Sequence, residues 1–274
     1  VLERRFDLKT RSLASGFYII HVILRTGILI YGPSILVAQV TGVDIRSVIV
    51  AVGIVTVTYT VVGGIRGVIW TDAIQFVILS AGALLICLFI DIDVPGGLPA
   101  VFAKAKAAGK LTWFDPSWSL ANPRNIWAAG AAYVVLDLAI RAADQQFVQR
   151  YLTCTDVRRA QYAAILSAVL GVGVALLFFG LGISLWGFYQ AYPEELANVT
   201  TVNGVLPHFI ATKLPWGVSG LIVAAVFAAA MSSISSAINA LSETFTIDFY
   251  NRFGGKKERA LLVARGSAAV WGIA

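Results

Sequence analysis

The stretch Ala228-Ala-Ala-Met-Ser-Ser-Ile-Ser-Ser-Ala-Ile-Asn239 places four serines and an asparagine inside an apolar run. At about 100° per residue, Ala229, Ser232, Ser233, Ser236 and Asn239 fall on one helical stripe, with Ser235 at its edge. Such a stripe has two readings. Small residues let membrane helices pack closely. Alternatively, hydroxyls and freed backbone carbonyls supply the several oxygen ligands that a hard cation such as sodium requires, without a full charge. Hydroxyls alone bind weakly, so a cation site also needs a nearby carboxylate or the carbonyls of a broken helix.

Asp72 is the candidate carboxylate. It stands in Gly63-Gly-Ile-Arg-Gly-Val-Ile-Trp-Thr-Asp-Ala-Ile-Gln75, where the chain is expected to turn back from the cytoplasmic side. Asp72 followed by Gln75 is also a capping-box pattern, and a cap does not exclude a cation role.

Two other charge groups sit where charge is costly. An ionisable residue near the bilayer midplane costs about 2.5–3.5 kcal/mol on insertion scales, so it marks a functional position by default. Arg25 lies between Phe17-Tyr-Ile-Ile-His-Val-Ile-Leu24 and Gly27-Ile-Leu-Ile-Tyr31. Its guanidinium offers a bidentate fork for a carboxylate, or else forms a structural ion pair with a neighbouring helix. Asp137, Arg141 and Asp144 are spaced four and three apart, which puts all three on one face of a continuous helix. They either neutralise one another or line a wet cavity that touches a solute. His21 and His208 have no partner at ligand spacing, and Cys87 and Cys154 offer neither a disulfide framework nor a metal pair. No phosphate-cradling loop and no nucleophile with a base is present, so nothing points to an enzyme.

The elements that must hold these residues follow from composition. Of 274 residues, 58% are hydrophobic and 13% charged, against roughly 25% charged in soluble chains. That excludes a soluble enzyme, a disordered segment and a nucleic-acid-binding domain. Apolar stretches of the roughly 20 residues that cross a bilayer are expected at about 13–40, 45–63, 71–92, 126–148, 159–188, 217–243 and 259–274. The chain is therefore expected to be one transmembrane domain in contact with the lipid bilayer. With no start methionine and an apolar run at its end, it reads as the middle of a longer protein. If the start is cytoplasmic, the inner connections carry Arg4, Arg5, Lys9, Arg11, Arg66, Arg150, Arg158, Arg159, Arg252, Lys256, Lys257 and Arg259. The outer ones carry Arg46, Lys104, Lys106, Lys110, Arg124 and Lys213. Twelve against six favours that orientation. The net charge of +6 is thus mostly a topology signal and requires no nucleic acid. The loop 93–125, with Pro95, Pro99, Pro116 and Pro123, reads as external, and Trp113, Trp118, Trp127 and Trp216 stand where an interfacial belt would. Asn198-Val-Thr200 fits a glycosylation triplet that is common by chance.

Three stretches taken together resemble the solute:sodium symporter family. They are Tyr59-Thr-Val-Val-Gly-Gly-Ile-Arg-Gly-Val-Ile-Trp-Thr-Asp-Ala-Ile-Gln75, Asp144-Gln-Gln-Phe-Val-Gln-Arg150 and Phe227-Ala-Ala-Ala-Met-Ser-Ser-Ile-Ser-Ser-Ala-Ile-Asn239. Leu2-Glu-Arg-Arg-Phe-Asp7, Gly204-Val-Leu-Pro207 and the Ser-Ser-Ile-Ser-Ser run are similar to its bacterial sialic acid branch. The resemblance covers the whole chain. It implies an all-α integral membrane protein with a partial LeuT-like inverted-repeat transporter fold, spanning core helices three to nine and lacking the first two. It further implies a multi-pass protein of the cell (inner) membrane that moves a small-molecule solute together with sodium ions.

By the same resemblance, the Ala229 carbonyl, Ser232 and Ser233 form the eighth-helix half of a main sodium site. Asp72, Ser235 and Ser236 form an additional sodium site. Arg25 receives a solute carboxylate, and Arg141 and Asp144 stand at the solute-binding wall. Asp137 and Arg141 depart from the family, where the matching positions are neutral polar or aromatic, so sialic acid leads a wider set of acidic or sugar-like solutes. Other solutes, such as a sugar, a monocarboxylate or an amino acid, are the alternative. A sensory membrane module of a signalling protein and a non-transporting fragment are the remaining readings.

Overall fold

The structure is a computed structural model and describes residues 2–112, 115, 117, 118, 122, 125–197, 199 and 201–273. Trp113, Pro116, Pro123, Arg124, Asn198 and Thr200, on which some expectations for the outer loops rest, lie outside the described residues. The helices are α1 (Leu2–Arg5), α2 (Leu8–Thr41), α3 (Ile45–Asp93), α4 (Gly97–Ala107), α5 (Ile126–Ala143), α6 (Gln145–Leu152), α7 (Val157–Ala191), α8 (Val205–Lys213), α9 (Trp216–Thr244) and α10 (Ala260–Ile273). A π-helical turn, Phe245–Tyr250, continues α9. Among the described residues there is no β-strand. Five helical runs are long and apolar enough to cross a membrane: Leu8–Thr41, Ile45–Asp93, Ile126–Ala143, Val157–Ala191 and Trp216–Tyr250.

The chain forms two compact units, Val1–Leu79 with Leu206–Ala274, and Ser80–Val205. In the first unit, α9 is the central helix. Its small residues Ala225, Ala228, Ala230, Ala237 and Ala240 are buried, which is how membrane helices approach closely without a hydrophobic drive between them. Val37 of α2, Val48 and Val52 of α3, Ala230, Ile234 and Ile238 of α9 and Ala268 of α10 close one core. Val22 joins Ala237 and Leu241 in a second. Hydroxyls in these helices find partners on their own backbone: Thr26 donates to the Val22 carbonyl, Ser34 to Ile30 and Thr56 to Val52, each at 2.7 Å. That satisfies a polar group in hydrocarbon at the small cost of a locally bent helix.

Helix α2 starts five residues earlier than its apolar stretch suggests, because Asp7 caps it by accepting from the Thr10 amide at 2.7 Å. The Thr10 side chain and amide hold the Asp7 carboxyl below its ordinary value. At this end of the unit, Asp248 on the π-turn accepts from the Arg11 guanidinium and the Ser15 hydroxyl. Glu3 accepts from Arg11 at 2.6 Å and pairs with Arg252. The start of α2 therefore meets the end of α9, and the two helices run in opposite directions.

In the second unit, α4 and α7 pack together, burying Val101 and Ala105 on α4 with Leu185 and Phe188 on α7. Gly187 leaves room for Val101, whose side chain would collide with any β-carbon there. The 93–125 stretch thus contains a helix where its prolines and glycines suggest only loop, since Pro99 falls in the first turn, where no amide donor is needed.

Two boundaries differ from the sequence expectation. The separate spans 45–63 and 71–92 form one helical run of 49 residues broken only at Gly64 (φ 54°, ψ −158°). Unbroken, it would be more than twice as long as the roughly 30 Å hydrocarbon core. The break divides it into arms of 19 and 29 residues, 45–63 and 65–93. The second difference lies at 126–148, which is not continuous. It ends at Ala143, and Asp144 takes an extended backbone (φ −73°, ψ 122°) that caps α6.

Gly64 occupies a backbone region that only glycine populates readily, and a β-carbon there would meet nothing within 4 Å. Gly64→Ala in the full-length protein therefore carries a pure backbone penalty of about 1–3 kcal/mol, read as a lower melting temperature in a thermal-shift assay. Gly63→Ala, one residue earlier and without positive φ, leaves the melting temperature unchanged.

Candidate functional site

The site in the first unit is built on the middle of α9 and the two arms of α3. Ser232, Ser233, Ser235 and Ser236 lie within little more than one turn of α9; Ser235 and Ser236 are buried and Ser232 and Ser233 half-buried. The decisive contact crosses 160 residues of sequence: the Ser232 hydroxyl donates to the Asp72 carboxylate at 2.6 Å. A hydrogen bond with an ionised acceptor is shorter and about twice as strong as a neutral one. It also fixes the Ser232 hydroxyl with its proton directed at the Asp72 carboxylate and its lone pairs turned away.

Asp72 is not a helix cap. It lies eight residues beyond the Gly64 break, inside the second arm and away from the helix start where a capping side chain has free amides to serve. The capping-box reading fails because the chain turns at Gly64, earlier than the residue types around Asp72 suggest.

The other hydroxyls turn to backbone. Ser233 donates to the Ala229 carbonyl at 3.4 Å, and Ser235 to the Ser232 carbonyl at 3.0 Å. The Asn239 amide donates to the Ser235 carbonyl at 3.1 Å. Of the two serine sets suggested by the family resemblance, the structure joins them through Ser232, whose hydroxyl meets Asp72 while its carbonyl receives Ser235. Ala229, Ser233 and Ser236 share this stretch of α9.

Two residues at this centre, Tyr59 and Gln75, are not expected from their types alone. The Tyr59 hydroxyl, on the first arm of α3, donates to the Met231 carbonyl at 3.0 Å. It lies beside the side chains of Ser235, Gln75 and Thr71 and within reach of the Asp72 charge. Gln75 is buried, and its side-chain carbonyl oxygen has no hydrogen-bond partner. A buried oxygen without a donor is an available ligand. Their signal in the sequence is only their presence in the Tyr59–Gln75 motif; no periodicity joins Tyr59 to Gln75 across a break at Gly64.

Arg25 is on the exposed side of α2, one turn beyond His21. In the second unit, Arg141 donates to Asp137 at 2.6 Å and to the Ser167 hydroxyl of α7 at 2.8 Å, and its guanidinium stands 5.5 Å from the centre of the Phe147 ring. Of the two readings of this face, mutual neutralisation is the one formed between Asp137 and Arg141. Asp144 does not share their face. It leaves the helix and accepts from the Gln146 amide at 2.9 Å.

The Asp72–Ser232 contact predicts coupling. In thermal unfolding of the full-length protein, Asp72→Asn and Ser232→Ala each lower the melting temperature. The double variant falls short of their sum by about 1 kcal/mol, as two residues sharing one hydrogen bond should. Additive losses would show that the bond contributes nothing.

The sequence matches the description "Sodium:solute symporter family" over residues 1–271. It is 35% identical over 278 residues to a sodium/sialic acid symporter of Proteus mirabilis (strain HI4320), covering 99% of this chain and 55% of that protein. A sodium/sialic acid symporter of Aliivibrio fischeri (strain ATCC 700601 / ES114) is 34% identical, at 99% and 54% coverage. A solved substrate-bound, outward-open structure of a Na+-coupled sialic acid symporter, described as revealing a novel Na+ site, superposes with a TM-score of 0.90 at 35% identity, covering 99% of this chain and 58% of that one. The chain spans about half the length of the curated relatives it matches. These relatives are transporters, and the fold shared with them is the all-α, LeuT-like one of a multi-pass membrane protein. The chain belongs to the sodium:solute symporter family.

Proposed function

We propose that this chain is part of a single transporter domain of the inner membrane that couples inward sodium movement to uptake of a small carboxylate-bearing solute, with sialic acid the leading member of that class. The observation that carries the reading is the Ser232–Asp72 hydrogen bond at 2.6 Å within a buried cluster of oxygens. A hard cation prefers several oxygens of modest charge. Ala229, through its carbonyl, Ser232 and Ser233 supply one group of such oxygens. Asp72, Ser235 and Ser236 supply another, with Tyr59 and Gln75 beside it. One carboxylate is enough to balance a single charge. A full acidic cage would hold the ion too tightly to release it on each cycle.

Sodium at Ser232 and Ser233 favours the state open to the outside. Solute then enters with its carboxylate on the Arg25 fork, and Arg141 and Asp144 belong to the wall that contacts it. The Asp137–Arg141 pair is internally neutral. Rocking of the domain releases ions and solute inward. Each net charge moved contributes about 2.3 kcal/mol per 100 mV; one sodium offsets the charge of a monocarboxylate, so a second sodium at Asp72 gives the cycle its net positive charge and its electrical drive.

Uptake of radiolabelled sialic acid by the full-length protein in proteoliposomes tests this. Accumulation is expected only with an inward sodium gradient, and an equal rate in potassium alone would overturn sodium coupling. Arg25→Ala should abolish uptake of acidic solutes, and Arg25→Lys should retain little, since a point charge does not reproduce the bidentate fork. Ser232→Ala with Ser233→Ala should raise the sodium concentration needed for half-maximal uptake at least tenfold. Unchanged sodium dependence would remove both serines from the site.

A further inference from the structure

The end of the first unit where α2 begins and α9 finishes is rich in positive charge, and that charge is sorted. Asp248 and Glu3 are taken up by Arg11, Ser15 and Arg252. Asp7 is occupied as the cap of α2. These contacts bring the N-terminal segment against the turn that follows the π-helix. They leave the exposed cations Arg4, Arg5 and Lys9 on one side and Lys256 and Arg259 on the other, with Glu258 the one exposed acid between the last two. Two aromatic rings stand among them: Phe6 is 65% exposed and Phe253 66% exposed. Phe253 stacks on Phe249, so the ring is held at the end of an aromatic row that begins at Phe245.

An exposed phenylalanine beside arginine and lysine, at the end of membrane-length helices, matches the acyl–headgroup boundary. The ring enters the apolar edge while the cations meet phosphate oxygens. A nucleic acid or an acidic protein would be served by the cations alone and would leave both rings in water.

We propose that this surface is a binding site for anionic phospholipid: Arg4, Arg5, Lys9, Lys256 and Arg259 contact the phosphate headgroup, and Phe6 and Phe253 seat in the adjoining acyl region. The Glu3–Arg252 pair clasps the two segments, so a lipid bridging them stabilises the same arrangement of α2 and α9. The proposal depends on the chain being embedded in a bilayer and not on which solute it carries.

The test uses the full-length protein in detergent micelles, titrated with fluorescent phosphatidylglycerol and, separately, fluorescent phosphatidylcholine. Saturable binding of phosphatidylglycerol is expected, with little binding of phosphatidylcholine. The variant R4Q/R5Q/K9Q and the variant K256Q/R259Q should each weaken it, by roughly fivefold per basic side chain removed, and higher ionic strength should weaken it further. K104Q/K106Q, which removes two cations from α4, should leave it unchanged. Equal binding of the two lipids, or an equal loss in K104Q/K106Q, would overturn the proposal. Displacement of phosphatidylglycerol by excess inorganic phosphate would assign the surface to the free ion instead and overturn it equally. Sodium-driven uptake measured on the same variants separates this result from the transport reading, because loss of lipid binding and loss of coupling are read independently.

Discussion

A hydroxyl or carboxylate surrounded by hydrocarbon must find a partner inside the protein, because leaving a buried polar group unpaired costs at least about 1–3 kcal/mol. Around α9 this demand does more than satisfy atoms. Ser233 and Ser235 meet it locally, on carbonyls of their own helix. Ser232 meets it across the unit, on Asp72. Its bond therefore ties the second arm of α3 to α9. The arrangement depends on close packing of α9 through its alanines. Larger side chains would move the helix outward and open the 2.6 Å contact.

Gly64 is the second condition for that contact. Tyr59 lies before it and Asp72 after it, and both reach the same stretch of α9. A straight helix would set them about 20 Å apart along its axis. The break brings a phenol and a carboxylate from one sequence motif to neighbouring turns of another helix, which a backbone of ordinary φ at position 64 would not do. The fold and the site thus share one cause, a glycine in a conformation closed to other residues.

The sequence carries the membrane spans, the serine stripe and the candidacy of Asp72 plainly, because hydropathy and the 3.6-residue period are local properties. Arg141 with Asp137 is legible for the same reason, as an i, i+4 pair. What lies beyond the sequence is set by local competition between neighbours. Asp144 reads as one more member of a charged helical face, yet its carboxylate satisfies the Gln146 amide more directly by leaving the helix. The region around Pro95, Gly96, Gly97 and Pro99 reads as loop, yet a proline in a first turn and a buried Val101 and Ala105 permit α4. Tyr59 is an ordinary aromatic in an apolar run until the break at Gly64 puts its hydroxyl on the Met231 carbonyl.

Asp72, Asp144 and Asp248 show why residue type underdetermines role in such a chain. Each is a carboxylate in or beside a long apolar helix, and each is partnered differently. Asp248 sits at a helix end, faces Arg11, and closes an ion-pair network at the edge of the unit. Asp144 serves backbone amides at a helix junction. Asp72 lies within a helix, so it has no free amide to cap, and it takes a hydroxyl that belongs to another helix. A hydroxyl partner donates to the carboxylate without cancelling its charge. A guanidinium partner would neutralise it permanently. What each acid does for the fold therefore follows from the donor it meets.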